Sequence, residues 1–143
     1  MSFKPLTLST ALQLVDTRSP SHRCQVAIHA LPSGLQGGAV VLSNADASRN
    51  VKAYLSGTSL IITKRVAAGV SVLSTTACVF SADKVLKVEA LRSGADRIIK
   101  AYYDGTLIDT QTVSDADLVG NTRCGPFVTD STVTLGTVEA WAL

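Results

Sequence analysis

Glu89 and Glu139 are the only glutamates in the chain, and they raise the question of acid–base chemistry first. Two carboxylates about 5–10 Å apart across a cleft would suit glycoside hydrolysis. The cluster E-x-D-x-x-E is absent, and strand parity puts Glu89 beside Lys87 on a solvated face and Glu139 beside Trp141. Nucleophilic catalysis has no support: His22 and His29 lie in the first third, with no nucleophile elbow anywhere. Cys24, Cys78 and Cys124 are dispersed and odd in number, which is neither a disulfide framework nor a metal-ligand spacing. They read as buried free thiols, with one bridge between strands left open. Asp46, Asp115 and Asp117 sit in loops that could offer calcium a carboxylate, but acidic turn residues usually bond their own backbone. Sugar binding would need aromatics stacked on pyranose faces. Tyr54, Tyr102 and Trp141 alternate away from the inferred core and are the candidates for glycan or partner contact. The expectation is no enzyme, no cofactor and no metal.

Composition narrows the rest. At 143 residues the chain is one domain by size, large enough to bury about two-thirds of its unfolded surface without staples. It is 46% hydrophobic and 17% charged, with a net charge of +2. Lys and Arg are scattered, which argues against nucleic-acid or membrane partners. Nothing approaches the roughly 20 apolar residues of a membrane helix, and the first residues lack a signal-peptide run. Synthesis in a cytoplasm is expected, until the chain assembles into something larger.

The segment Lys84 to Leu107 does most to define the elements that position these residues. Leu86, Val88 and Ala90 alternate with Lys87, Glu89 and Leu91; Ile99, Ala101 and Tyr103 alternate with Ile98, Lys100 and Tyr102. A period of two predicts two strands with one apolar face each. Asp104-Gly105 tolerates positive φ and predicts a tight hairpin into a third strand, Leu107 to Val113. Upstream, strands are expected at His22–Leu31, Ala39–Ser43, Val51–Leu55, Leu60–Val66 and Val70–Thr75, with Pro32–Gly38 as a loop. The short apolar Ala77–Ser81 reads as a sheet edge or a crossing between sheets. Ser114–Gly120 reads as a loop with one helical turn capped by Ser114 or Asp115. Gly125-Pro126 predicts an edge or bulge in the strand Thr122–Thr129, and the last strand covers Thr132 to Ala142. Residues 1–20 are expected as an edge strand or an arm pairing with a neighbouring subunit through Leu6, Leu8, Leu12 and Leu14; residues 21–143 form one domain. About ten short strands without a sustained helical period predict an all-β antiparallel sandwich.

The second half resembles the concanavalin A-like, laminin-G-like jelly rolls of bacterial surface and bacteriophage proteins. Leu86, Val88, Gly94, Arg97, Ile98, Lys100, Tyr102, Asp104, Gly105 and Leu107 match their hairpin pattern "L-x-V-x-V-x-x-G, then R-I-x-V-Y-x-D-G-x-L". Asp115 to Leu118, Gly120 and Gly125 stand where the family has an acidic loop and later glycines. Asp46 to Leu55 and Leu60 to Gly69 stand where it has "D-x-x-N-Y-Y-x-A-x-L" and "L-x-L-x-K-x-x-x-G". The family's aromatic-rich opening strand and the Arg before "D-x-x-N" are absent here, Ser43-Asn44-Ala45 taking the latter's place. The resemblance implies a stand-alone jelly roll and, with no catalytic constellation, a structural virion protein: a bacteriophage capsid-decoration (cement) or tail-associated subunit. Such a protein would be a homo-oligomer contacting other virion proteins. The alternative is a carbohydrate-binding, lectin-like module. These motifs encode strands and turns rather than chemistry.

Overall fold

The computed structural model describes residues 14–143 and the backbone of Leu6–Thr7. Two antiparallel six-stranded sheets face one another. The first runs in the order β1 (Leu6–Thr7), β12 (Thr134–Ala142), β3 (His22–Ala30), β8 (Lys84–Ser93), β9 (Asp96–Tyr103), β10 (Thr106–Val113). The second runs β2 (Val15–Asp16), β11 (Arg123–Val128), β4 (Gln36–Ser43), β5 (Asn50–Ser56), β6 (Ser59–Val66), β7 (Gly69–Ala77). This is the all-β antiparallel sandwich that the alternation predicts.

Parity places the core between the sheets. Val26, Ile28, Leu86, Val88 and Ile99 point inward from the first sheet, and Val41, Val51, Leu55, Leu60 and Ile62 from the second. All are fully buried, each worth about 1.5–3 kcal/mol relative to exposure. The Asp104-Gly105 hairpin forms as expected, both residues at positive φ (52° and 81°). The three cysteines are buried free thiols. Cys24 and Cys124 meet across the sheets, and their hydrogen bond together with burial holds the Cys24 thiol well above its ordinary pKa.

Some boundaries differ from expectation. Gln36–Gly38, expected in a loop, already pair with β5. Strand β7 is longer at both ends than Val70–Thr75. Of the segment from Ala77 to Ser81, only Ala77 is strand; the remainder crosses to β8, held by Tyr103, whose hydroxyl donates to the Ser81 carbonyl (2.7 Å) and accepts from the Ser81 amide (2.9 Å). The helical turn is α1 (Ala116–Val119), and Asp115 stands at its N-cap without a side-chain cap, because its carboxylate is drawn to Lys64 instead. Around Gly125-Pro126 the register of β11 on β4 shifts, and β2 pairs only with Arg123 and Cys124, leaving the rest of β11 as an edge. Both outcomes match proline's missing donor. Of the arm residues, Leu8 and Leu12 lie outside the described residues. Leu6 pairs through its backbone with Val138 of the same chain, and Leu14 is half-buried ahead of β2.

Gly38 is where two strands approach too closely for any side chain. A Cβ there would stand 2.2 Å from the Ala53 carbonyl oxygen and 2.5 Å from the Tyr54 Cα. Backbone cannot swing aside as a side-chain end can, so Gly38→Ala must push β4 from β5. A loss of about 1–3 kcal/mol in urea unfolding is expected, with the all-β circular-dichroism spectrum retained.

Candidate ligand-binding face

The outer face of the first sheet assembles a polar and aromatic network from four adjacent strands. One ladder row is Trp141–Arg23–Glu89–Lys100; the next is Glu139–Gln25–Lys87–Tyr102. Each residue occupies an alternate strand position, so all project from one surface. The Arg23 guanidinium lies 5.6 Å from the Trp141 ring centroid and directs two nitrogens at one Glu89 oxygen, at 2.7 and 2.9 Å. Tyr102 lies one row from Glu89 on the neighbouring strand, and the Lys87 ammonium sits 4.2 Å above the Tyr102 ring. Burial first, and the Glu89 carboxylate second, hold the Tyr102 hydroxyl above the usual tyrosine pKa, so it stays a neutral donor at physiological pH. Beside this network opens a depression of about 180 Å³, lined by Gln25, Val85, Lys87, Tyr102 and Gly105. Its rim therefore offers an amide, an ammonium and a phenol around an apolar floor.

Two of the three aromatic candidates, Tyr102 and Trp141, share this face, three strands apart. Tyr54 lies on the opposite side of the molecule, on the outer face of the second sheet, tilted against Phe127 at 5.6 Å between ring centroids. Glu89 has the expected parity, but it is only 6% exposed and pairs with Arg23 rather than lying solvated beside lysine. Residue Glu139 shares the face, but β3 stands between it and Glu89. The loop acids are engaged by protein groups: Asp115 by Lys64, Asp117 by the Ala67 amide and Arg49, and Asp46 by the Ser48 amide. Buried His22 is a structural ligand of the backbone, and His29 pairs with Asp83. The participation of Arg23 and Gln25 was missed from the sequence. Their alternation in β3 was visible, but the neighbouring strand that they would meet was not.

No family model matches the sequence, and no curated protein matches it in sequence. Solved structures match it in fold. Sheep galectin-11, in complex with glycerol, aligns with a TM-score of 0.67 at 10% identity, over 91% of this chain and 96% of its own. The carbohydrate-binding module CBM66 from Bacillus subtilis aligns at 0.59 with 13% identity, over 91% and 74%. The Ruminococcus gnavus IT-sialidase CBM40, bound to α2,3-sialyllactose, aligns at 0.57 with 9% identity, over 99% and 90%. The same fold occurs inside a GH43 protein of Bacillus licheniformis, as 28% of that chain. The chain is thus a jelly-roll β-sandwich of the architecture shared by galectins and carbohydrate-binding modules.

This corrects the leading expectation. Assignment to a virion, as a capsid-decoration or tail subunit, rested on the resemblance to bacteriophage jelly rolls together with a stand-alone domain, a candidate arm, and no signal-peptide run or catalytic constellation. Solved structures that share the fold include galectins and carbohydrate-binding modules, so the virion reading and its virion partners lose their support.

Proposed function

We propose that the chain is a lectin-like carbohydrate-binding module, and that a saccharide lies on the outer face of β12, β3, β8 and β9. The observation that carries this reading is the depression beside Tyr102, bounded by the Gln25 amide and Lys87 ammonium, with Trp141 on the same face three strands away. Saccharide sites combine a ring-sized apolar surface with a few placed donors and acceptors. Tyrosine and tryptophan supply that surface while keeping a polar handle. The Arg23–Glu89 pair holds its guanidinium against Trp141, and Lys87 sits over Tyr102, before a ligand arrives, so less ordering entropy opposes binding.

A glycan array should identify neutral oligosaccharides that bind. Titration calorimetry should then show Trp141→Ala and Tyr102→Ala each weakening them by about tenfold or more, with the circular-dichroism spectrum unchanged. Affinity that survives both substitutions would remove this face from consideration.

A further inference from the structure

The outer face of the second sheet carries a charge arrangement that the face described above does not use. From Ala47 to Ala82 the sequence has no Asp or Glu, yet it contains Arg49, Lys52, Lys64 and Arg65. Two of these cations are neutralised by the α1 loop: Arg49 meets Asp117 at 3.4 Å and Lys64 meets Asp115 at 2.8 Å. Lys52 and Arg65 have no carboxylate partner among the described residues.

Register brings those two together. Lys52 faces Thr63 and Asn50 faces Arg65 across β5 and β6, so Lys52 and Arg65 are diagonal neighbours on one face. Such pairs stand about 7–8 Å apart, a gap that one small anion bridges. The Lys52 ammonium lies 4.3 Å above the Phe127 ring. Burial first and Arg65 second push its pKa below the usual lysine range, which is the mark of a cation short of a counter-charge. Tyr54 and Ile61, cross-strand partners in the next row, extend an apolar strip alongside Phe127.

We propose that Lys52 and Arg65 form an anion site on the outer face of the second sheet, taking the sulfate ester or carboxylate of an acidic saccharide. Arg65 contributes a planar fork that matches either oxyanion, and Lys52 a point charge. The Tyr54–Phe127 strip receives the sugar ring that carries the group. The anion follows from the charges alone, whereas the saccharide carrier rests on the carbohydrate-binding reading.

The test compares a sulfated oligosaccharide, its desulfated counterpart and inorganic sulfate, by titration calorimetry and by amide chemical shifts. The sulfated sugar should bind, shift β5 and β6 amides, and weaken steeply with added salt. The double variant Lys52→Gln/Arg65→Gln should reduce that affinity by at least about tenfold while leaving the affinity for neutral oligosaccharides unchanged. Inorganic sulfate should shift the same amides more weakly. Equal affinity for the desulfated sugar, full binding by the double variant, or no binding of the sulfated sugar would each overturn the anion site. If neutral sugars still bind through Tyr102 and Trp141 in that event, the carbohydrate-binding reading stands and only this site falls.

Discussion

Arg23→Ala is expected to lower the free energy of unfolding by about 3 kcal/mol, the lower end for a broken buried ion pair. The cost comes mainly from what is left behind. Glu89 is 6% exposed, and its carboxylate would lose both guanidinium contacts while remaining hemmed in on the outer face between β3 and β9. An uncompensated carboxylate in that setting must pull in water, take up a proton or unfold its surroundings. The Arg23 side chain is about a third exposed, at 32%, so water reaches part of the vacated space and keeps the loss from being larger. Adding Glu89→Gln to Arg23→Ala should restore part of the stability, because a neutral amide needs no counter-charge. Urea unfolding of the two variants measures both numbers. A loss below about 1 kcal/mol for Arg23→Ala would show that water already solvates Glu89. Saccharide affinity should fall in the single variant as well, since Arg23 braces Trp141.

The second large effect is a loss of stability on acidification, set by His22. Strand β4 breaks register at Leu42, a non-glycine residue at φ 49°, whose amide leaves the ladder with no strand partner. The His22 Nε2 accepts that amide at 3.0 Å, while its Nδ1 donates to the Ser19 carbonyl at 2.8 Å. Only the neutral imidazole can do both. Burial, with a smaller contribution from Arg97, lowers its pKa from 6.5 to about 4. Above pH 6.5 neither the folded nor the unfolded chain protonates this residue, so its contribution is complete. Between 6.5 and 4 the unfolded chain binds a proton that the folded one refuses, so stability falls as pH falls. Below about 4 the contribution is gone. The total is about 3 kcal/mol, with the midpoint in urea dropping steadily through that window. The carboxylates of Asp16, Asp46 and Asp130, all held below their usual range by hydrogen bonds, extend the decline to lower pH in the same direction. A His22→Gln variant should lose the slope between pH 6.5 and 4 while keeping the slope below it. An unchanged slope would assign the transition to other groups.

Alternation along Lys84–Leu107 carried most of what was legible. Leu86, Val88, Ile99 and Tyr103 are buried, Lys87 and Tyr102 point outward, and Asp104-Gly105 turns, because strand parity and positive-φ tolerance are properties of neighbouring residues. The same locality explains why Pro126 was recognised as an edge or bulge. Boundaries slipped where glycine supplied no side-chain signal, as at Gly37 and Gly38, which read as loop and are strand.

What a residue meets across a sheet was beyond local pattern. Glu89 reads as a solvated partner of Lys87, but β3 lies against β8 and puts Arg23 opposite it. Tyr54, Tyr102 and Trp141 form one set by parity; strand order divides them between two opposite surfaces. His22 shows no sign in sequence of its bond to Leu42, because that bond depends on a bulge twenty positions away and in the other sheet. Periodicity reports which face a side chain takes, since that depends only on its own strand. Partners depend on which strands lie side by side and in what register, which the packing of the whole chain selects.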